Sequence, residues 1–465
     1  MDSALSGAGA AKGLDKDHRT SHKYSYHEKN FVDNIQEERM ECETIPLNGF
    51  TNNGPYDFEI PALGDTFLDM HSIKCHAVVT IDHTDNTVIA KAVSAADGKT
   101  AKAAEDVSIV NGFGLVLWQK VEAFIDATAF PGQSAEYAGY KNMMETILTA
   151  SAETREYDLP TSVWEEDKVA TFDDVTNSGA NSGYKARAKI LTEETQQIEV
   201  ISNVYHDLLR ADNNLPAGYN LTLRLTPQST QFLLLGGIGT QTQEKYRMKF
   251  TDLRLIYNRI RLRDGQAKNF MRSGYMRFIC PCTELVPYPI ATGLTRTILP
   301  IHRGKQFPTQ IVVGQVETGA LSGRRDKNPF NFQPFNLKQL SLRVNGNIYP
   351  PLALQRKWSD TVTLTGWQRM YQFMKQNLGM WMSGRSNMIT PELFQSNLFL
   401  IPFDLTPDGC NGLDLHDMPD GRIELELVWE GIQSNPITVL VYKLYQQGLI
   451  LNPKNSPHAF EVGRL

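Results

Sequence analysis

The sequence predicts an all-β protein made of two tandem eight-stranded jelly rolls, a double jelly-roll, with short helices in the connecting loops. Three observations lead to this prediction. Short apolar segments with strand-like alternation recur along the 465 residues, with turn signals between them. The 34 glycines and 23 prolines are spread along the chain, as many turns between short strands require. The patterns of the first half also return in the second half.

The first half contains one predicted helix among six predicted strands. The strands are expected over 57–60, 73–81, 115–125, 198–201, 220–225 and 253–262. In the last of these, the apolar alternation slips phase near Arg259, which predicts a β-bulge. The helix is expected over 135–150 with Ser134 as its N-cap. One face of this helix would carry the apolar residues Tyr137, Tyr140, Met144, Ile147 and Leu148.

The second half repeats this order of strands with one helix among them. A strand with alternating Leu340, Leu342 and Val344 runs into the turn signal Asn345-Gly346. A helix is predicted over 366–382, and further strands over 398–403, 423–429 and 437–442. One face of this helix would carry Trp367, Met370, Tyr371, Met374 and Leu378.

Matching elements of the two halves lie roughly 180 to 230 residues apart, which indicates an internal duplication with loop insertions. We therefore divide the chain into a flexible N-terminal arm over 1–36, a first jelly roll over 37–263 and a second jelly roll over 264–465 with a short C-terminal tail. The arm is rich in Gly, Ala and Ser at its start and mixes charges without a period. The polar stretches 82–108, 165–190 and 317–333 are predicted surface loops.

Charge and cysteine content exclude several classes of protein. The net charge of −6 and pI near 6.0 argue against a protein that wraps nucleic acid by neutralising phosphates. The five cysteines are scattered and odd in number, which favours free thiols over a disulfide framework. No segment resembles a signal peptide, and no apolar run reaches the ~18 residues of a membrane helix. We expect synthesis and folding in the cytosol or nucleus.

Nucleotide-binding motifs are incomplete. Gly98-Lys99-Thr100 ends like a phosphate-binding loop, but that loop needs glycine at position 93, where the chain has Val93. The run of glycines at 236, 237 and 239 follows an apolar segment, but Thr242 stands where a dinucleotide-binding turn needs glycine. The first is interpreted as a chance tripeptide and the second as a turn between strands.

Candidate metal and acid–base residues are also isolated. On a strand, His71 and Cys75 would share a face and His76 would point away, and Cys280-Pro281-Cys282 is too closely spaced for an ordinary zinc pair. The carboxylates over 165–167 and 173–174 are interpreted as a solvated loop. The sequon at Asn220 lies within a predicted strand, so we expect it to be unmodified. We therefore predict no catalytic, cofactor-binding or metal residues, no cofactor and no enzymatic activity.

An ordered series of segments carries a family resemblance. The most distinctive are Asn328-Pro329-Phe330-Asn331-Phe332 and, after about seventy residues, Phe403-Asp404-Leu405-Thr406-Pro407-Asp408. From about residue 40 onward, the chain resembles the double jelly-roll major capsid protein of the Polinton (Maverick) and adintovirus group. It departs from that pattern at Gln395-Ser396-Asn397, where relatives carry Gly-Tyr, and in its N-terminal arm. Other matching segments are 53–55, 58–61, 140–148, 159–164, 220–225, 308–314, 336–337, 345–346 and 439–442.

The resemblance implies a structural protein of a virion. Three copies would form a homotrimeric, pseudo-hexameric capsomer, and capsomers would tile an icosahedral shell around a DNA genome. The implied partners are neighbouring capsomers, penton proteins and minor capsid proteins, with no strong direct nucleic-acid binding; contact with an inner membrane is left open. The protein would be made in the host cytoplasm and assembled in the host nucleus or cytoplasm.

Two alternatives belong to other classes. A tandem β-sandwich of this size also fits a glycan-binding protein or a glycoside hydrolase, which needs two facing carboxylates. A glycan-binding module would expose clustered aromatic rings, whereas Trp118, Trp367 and Trp429 lie in strand or helix patterns that favour burial in the core. A copy of the gene kept by a host genome for another use would retain the same fold.

Overall fold

The computed structural model describes residues 36–50, 54–89, 105–130, 135–192, 197–211, 213–237, 245–263, 276–304, 306–356, 367–407, 409, 418–451 and 461–463. Strands hold 44% of the residues and helices 19%, in five sheets, so the predicted all-β class is confirmed. The predicted arm over 1–36 lies outside the described residues except for Gln36, which opens the first strand.

The first roll comprises the strands up to residue 262. Its sheets have the orders β1-β10-β3-β7 and β2-β8-β5-β6, and a small ribbon pairs β4 with β9. In chain order, these strands are β1 Gln36–Thr44, β2 Tyr56–Ile60, β3 Thr66–His83, β4 Val107–Ile109, β5 Trp118–Ile125, β6 Thr128–Ala129, β7 Gln197–Asn203, β8 Leu221–Pro227, β9 Leu234–Gly236 and β10 Tyr246–Leu262.

The second roll comprises the strands from residue 276 onward. Its sheets have the orders β11-β18-β13-β16, with β19 added beside β18, and β12-β17-β14-β15. Its strands are β11 Met276–Ile290, β12 Arg296–Gly304, β13 Gln310–Glu317, β14 Leu337–Val344, β15 Asn347–Gln355, β16 Leu400–Asp404, β17 Gly421–Trp429, β18 Ile437–Leu451 and β19 Glu461–Gly463.

Both rolls have the same topology. With β4, β9 and β19 set aside, each roll places eight strands in two sheets of order 1-8-3-6 and 2-7-4-5, where the numbers give the position of each strand in its roll. The sequence-matched strands occupy equivalent positions: β7 and β16 are sixth, β8 and β17 seventh, β10 and β18 eighth. Both predicted helices lie in connections between the fifth and sixth strands. The double jelly-roll is therefore confirmed, and the boundary near 263, next to the undescribed 264–275, stays a prediction.

Apolar side chains from facing sheets fill the rolls. Along β8, Leu221, Leu223 and Leu225 are fully buried and the intervening residues are half-buried, because alternate residues of a strand point to opposite faces of a sheet. In the second roll, Leu425 and Leu427 of β17 lie on the inward face in the same way. The alternation thus places apolar residues inside each roll, and the buried apolar residues of the two rolls form one continuous cluster.

Seven α-helices are found in the described residues. They are Phe113–Val116, Ala138–Thr149, Ser182–Thr192, Thr230–Leu233, Thr318–Leu321, Gln368–Asn377 and Pro391–Ser396. The predicted helix over 135–150 starts later than expected, with Tyr137 in the N-cap position, and Ser134 lies outside the described residues. Tyr137 is also more than a third exposed, so it does not belong to the apolar face. The predicted 366–382 helix ends at Asn377 because the chain turns at Leu378–Gly379.

Three local predictions were wrong. Residues 115–116 belong to the helical turn Phe113–Val116, which follows the left-handed residue Gly112 and precedes β5. The 165–190 stretch is not a surface loop, since it contains the helix Ser182–Thr192 with buried Tyr184 and Arg187. The 317–333 stretch buries Phe330 and Phe332. In 82–108, residues 90–104 lie outside the described residues.

The predicted bulge in β10 is present, but the register shift lies a few residues before Arg259. The pairing with β3 shifts register between Ile256 and Asn258, and burial alternation slips where Arg259 and Ile260 are both buried. The shift changes the phase of β3 as well, because Lys74 pairs with Ile256 while Asp69 pairs with Asn258.

Candidate functional site

The two rolls meet along a continuous buried surface, which we call the seam. The first roll contributes the helix Ala138–Thr149 and the short helix Asp207–Arg210. The second roll contributes β11, β18 and the segment 324–332, which lies between its third and fourth strands. The seam joins residues far apart in sequence, and both polar and aromatic contacts hold the two rolls together there.

At the centre of the seam, Lys141 and Asp207 reach across to Thr283 of β11. The Lys141 ammonium is fully buried, and its Nζ donates to the Thr283 carbonyl at 3.0 Å. The Asp207 carboxylate accepts from the backbone N–H of Thr283 at 2.5 Å and from its hydroxyl at 2.7 Å. Burial lowers the pKa of Lys141, while the neighbouring Asp207 acts in the opposite direction. Each charge thus has hydrogen-bonded partners, which a buried charge requires.

A second cluster is organised around Glu145, one helical turn beyond Lys141. The carboxylate Oε1 accepts from the Tyr205 hydroxyl at 2.6 Å, from Arg210 at 2.8 Å and from the hydroxyl of Tyr442. Tyr442 belongs to β18 of the second roll, so this contact crosses the seam. Burial, and next the charge of Glu145, raise the pKa of both tyrosines well above the usual value. Both phenols are therefore neutral donors at physiological pH.

A third cluster links the seam to the residues that carry the family resemblance. Asp167 accepts from Arg187 at 2.6 Å and, through its other oxygen, from the Asn328 amide at 3.0 Å. Arg187 and Asp167 are both buried. Asn397 bridges the same region by donating to Asn331 at 2.9 Å and accepting from the Ala170 N–H at 2.7 Å. Asn328 of this segment therefore contacts the first roll directly, whereas Asn331 is held within the second roll by Asn397.

Aromatic rings and a small cavity complete the seam. Tyr140 and Phe232 of the first roll contact Phe330 of the second, with ring centroids 5.2 and 5.7 Å away. The adjoining cavity has a volume of about 30 Å³, and its lining includes Trp164 and Leu398. A space of this size holds one or two water molecules, far less than the several hundred Å³ of a ligand pocket. The seam is suited to adhesion rather than to holding a substrate.

Of the predicted isolated residues His71, Cys75 and His76, only His71 lies on a different face of β3 from the one expected. His71 is exposed and Cys75 is fully buried, so the prediction that they share a face was wrong. The reason is the register shift opposite Ile256–Asn258, which reverses the alternation of β3 between them. His76 instead contacts Glu199 at 2.8 Å. In the part of the chain that the structure describes, no three His, Cys, Asp or Glu side chains are grouped as a metal site requires.

The remaining cysteine and carboxylate candidates belong to the scaffold. Cys280 donates to the Asp207 carbonyl at 3.1 Å, and burial raises the pKa of Cys282 to about 12. The four described cysteines are free, as predicted, and Cys410 lies outside the described residues. Glu165 and Glu166 are exposed as expected, but the solvated interpretation was wrong for Asp167, because Arg187 neutralises it inside the fold.

The described glycines of the second motif lie in a turn, and Asn220 of the sequon lies just before a strand. Gly236 and Gly237 have left-handed φ values of 72° and 90°, which suits the predicted turn, and residues 238–244 lie outside the described part. The Gly98-Lys99-Thr100 tripeptide also lies outside it. Asn220 precedes β8, and its side chain accepts from the Ala62 N–H at 2.7 Å.

Sequence reasoning missed the polar residues of the seam. Lys141 and Glu145 are spaced by four on a helix whose other buried residues are mostly apolar, and this mismatch is the signal that could have revealed them. Arg187 is likewise a charged residue among buried apolar residues, on the helix Ser182–Thr192. A charge on an otherwise buried helix face predicts a partner elsewhere in the fold. Which residue that partner is can be read only from the tertiary structure.

Sequence comparisons with known proteins found one relative and no matching family model. No protein-family model matches the chain. An uncharacterized protein of Caenorhabditis elegans is 21% identical over 374 residues, spanning 77% of this chain and 82% of that relative. In the described helices, none is long and apolar enough to cross a membrane.

The structural neighbours are double jelly-roll major capsid proteins of giant viruses and virophages. The Faustovirus major capsid protein superposes with a TM-score of 0.58 at 10% identity, covering 94% of this chain and 93% of that one. A chain in the cryo-EM structure of the Sputnik virophage gives 0.59 at 11% identity, with 96% and 92% covered. The mavirus major capsid protein gives 0.52 at 9% identity, with 95% and 94% covered. These similarities show a shared fold over nearly the full length.

Proposed function

We propose that this chain is a major capsid protein of the Polinton and adintovirus type. Three copies form a pseudo-hexameric trimer, and the trimers tile an icosahedral shell that encloses a DNA genome. One observation carries the proposal: two rolls of identical strand order stand in one chain and superpose on capsid proteins over more than nine tenths of both lengths.

The geometry suits a tile. Two similar rolls per copy give three copies six similar units, so a closed three-fold assembly approximates hexagonal packing. A tile must also keep its two units in a fixed orientation. The seam contacts of Lys141 and Asp207 with Thr283, and of Glu145 with Tyr442, support this rigidity, because separating the rolls would break every one of these hydrogen bonds to a charged group.

The proposal extends to partners and location. The trimer is expected to contact neighbouring capsomers, penton proteins and minor capsid proteins, and to reside in the virion after assembly in the host nucleus or cytoplasm. Direct binding of the genome is expected to be weak because the chain carries a net charge of −6. The role is structural rather than enzymatic, and the small cavity and fully engaged carboxylates of the seam are consistent with that.

The glycan-binding alternative has less support. Trp118, Trp367 and Trp429 are 3%, 6% and 2% exposed, so these rings pack in the cores and offer no stacking platform for a sugar.

The test is the molar mass of the purified full-length protein by light scattering on a sizing column, with electron micrographs of the peak. We expect a mass near three times 52.3 kDa and hexagonal particles or closed shells. A strict monomer at high concentration, in both low and moderate salt, would contradict the proposal. In that case glycan arrays would be the next measurement.

A further inference from the structure

One sheet of the second roll exposes basic side chains and buries acidic ones. The sheet has the order β12-β17-β14-β15, and residues directly opposite each other on its strands share a face. We call its outward side the arginine face, and it includes Arg296, Ile298, Arg343, Ile348, Arg422 and Glu426. The side chains of Arg296 and Arg422 are 56% and 58% exposed, whereas those of Glu424 and Glu426 are 23% and 5% exposed. The face therefore presents positive charge to solvent.

The charge count of the whole sheet agrees with this. With His302 taken as neutral, its four strands contain five basic residues, Arg296, Arg303, Lys338, Arg343 and Arg422, and two acidic residues, Glu424 and Glu426. The described residues next to the strand ends add one basic and two acidic side chains, Arg356, Asp420 and Glu430. The basic excess is thus three within the strands and two with these neighbours.

At the centre of the arginine face, Glu426 fixes the positions of two arginines from the neighbouring strands. Arg296 of β12 donates to Glu426 Oε1 through Nε at 2.9 Å and also through Nη2. Arg343 of β14 donates to Oε2 through Nε at 3.1 Å and through Nη2 at 2.9 Å. Burial acts to raise the pKa of Glu426, but the hydrogen bonds from Arg343 and Arg296 outweigh burial and lower the pKa. One ionised carboxylate is therefore shared by two cations.

Each of these guanidinium groups keeps an amino group that the sheet does not use. Among the described residues, no acceptor bonds to Nη1 of Arg296 or of Arg343. Arginines that are already held in place can bind a further carboxylate with little additional loss of side-chain freedom. Ile298, opposite Glu426, is 42% exposed, and Ile348, opposite Arg343, is 47% exposed. The face thus offers cations and apolar surface side by side.

The first roll shows that the fold does not require this arrangement. In its equivalent sheet, β2-β8-β5-β6, Arg224 of the seventh strand lies opposite Asp57 and Glu122. The signs of this triad are the inverse of those around Glu426, which belongs to the seventh strand of the second roll. The four strands of the first-roll sheet contain three acidic and two basic residues. The basic excess is therefore a property of the second roll and not of the jelly-roll topology.

The side chains of the arginine face favour a peptide over a sugar or a nucleic acid. Sugars and bases stack on exposed aromatic rings. The aromatic residues of these four strands are the buried Trp429 and the half-buried Tyr349, which lie opposite the inward residues Leu337 and Leu342. An extended peptide repeats its side chains on one face at every second residue, which suits a sheet surface. Carboxylates for the arginines and aliphatic groups for the isoleucines occur together in an acidic peptide.

We propose that the arginine face binds an acidic peptide segment of a partner protein. Carboxylates of the segment contact Arg296 and Arg343, and its aliphatic side chains pack on Ile298 and Ile348. This binding goes beyond the capsid role and does not depend on it, since the face belongs to one roll of a single chain. Because charged contacts at a surface are screened by ions, the affinity falls as the salt concentration rises.

The test is fluorescence anisotropy of the full-length protein with a fluorescein-labelled peptide of alternating glutamate and valine, about ten residues long. We expect a dissociation constant below about 1 mM at low salt. The triple variant Arg296→Gln, Arg343→Gln, Glu426→Gln removes both cations without leaving an unpaired carboxylate, and its dissociation constant should be about tenfold higher or more. The isoleucine variant, Ile298→Ser with Ile348→Ser, changes two exposed positions and should weaken binding about threefold or more.

The matched control neutralises the inverse triad of the first roll through Asp57→Asn, Glu122→Gln and Arg224→Gln. It removes three charges at equivalent positions, and we expect its dissociation constant to equal that of the wild type. Circular dichroism and thermal unfolding verify the fold of every variant. If the triple variant does not fold, the isoleucine variant still tests the surface.

A wild-type dissociation constant above about 1 mM at low salt would overturn the proposal. Equal affinity of the wild type, the triple variant and the isoleucine variant would do the same, because the peptide would then bind elsewhere. A peptide with lysine in place of glutamate that binds as tightly would exclude recognition of carboxylates. Tighter binding of heparin or of single-stranded DNA, lost in the triple variant, would assign the face to a sulfated glycan or a nucleic acid instead. The molar mass is measured in parallel, and a monomeric protein that binds the peptide would refute the capsid role alone.

Discussion

His206 shows, at the scale of one residue, how the seam constrains a titratable group. The side chain is 1% exposed, and its Nδ1 accepts from the Leu208 N–H at 3.1 Å at the start of the short helix Asp207–Arg210. The ring of Phe130 lies against it, with centroids 5.3 Å apart. Burial, and next the charge of Lys141, lower the pKa of His206 from 6.5 to about 3. The folded protein therefore holds this imidazole neutral.

This depressed pKa predicts an acid-sensitive stability. Below pH 6.5 the unfolded chain binds a proton at His206 and the folded chain does not. The contribution of this residue to the free energy of unfolding is therefore fully present above pH 6.5 and is lost as the pH falls toward 3. The loss should be about 1.4 kcal/mol per pH unit. His206→Asn removes the titration and keeps an acceptor for Leu208. Urea unfolding at pH 7, 6 and 5 should show the variant with the shallower pH dependence.

The control for this prediction is His71→Asn, which changes an exposed histidine of the same roll. Its unfolding free energy should follow the wild type at each pH. If the free energy of unfolding of His206→Asn changed with pH in parallel with that of the wild type, His206 would not be the source of the acid sensitivity.

At the scale of elements, the hairpin of β14 and β15 and the helix Ser182–Thr192 illustrate two origins of structure. The hairpin turn follows from local chemistry, because Asn345 and Gly346 have φ values of 49° and 87°, the left-handed pair that a two-residue turn needs. The helix depends on distant contacts, since Arg187 donates to Asp167 and to the carbonyl of Ile109. The first was predictable from two residues and the second was missed.

The hairpin gives a prediction for Gly346→Ala. A Cβ at this position meets no atom within 4 Å, so the change is purely conformational. Holding alanine at positive φ costs about 1 kcal/mol, and we expect the free energy of unfolding to fall by that amount. Chemical denaturation measures it. Gly431→Ala is the matched control, because that glycine is also in open space but has no positive φ. Equal stability of the two variants would contradict the prediction.

At the scale of the whole molecule, the seam makes two rolls into one body. The contact of Asp207 with Thr283 buries a charged group, and Glu145, whose side chain is 21% exposed, accepts from the Tyr442 hydroxyl across the seam. Separating the rolls would expose the apolar surface of Phe330 and break these bonds at once. The two cores are therefore expected to unfold together.

Calorimetry of the full-length protein should show one cooperative transition. Glu145→Gln combined with Asp207→Asn weakens hydrogen bonds to charged groups, each worth about 1.5–3 kcal/mol, and should lower or split that transition. Glu136→Gln, an exposed position near the same helix, should leave it unchanged. Two separate transitions in the wild type would refute the coupling of the rolls.

The sequence by itself determined the class of fold and the positions of most strands, because alternation along a strand records which residues face a core. It also determined the tandem arrangement, since equivalent strands such as β8 and β17 return in the same order. The Asn345-Gly346 turn was readable for the same reason, as its conformation depends on adjacent residues alone.

Only the tertiary structure decided the seam. Asp167 and Asn328, or Glu145 and Tyr442, are more than a hundred residues apart, and no local pattern indicates which buried charge meets which partner. The phase of β3 was decided in the same way, by a register shift against β10 that moved His71 away from the side of Cys75. Packing between rolls and pairing between strands are relations among distant segments, so they appear only when the chain is folded.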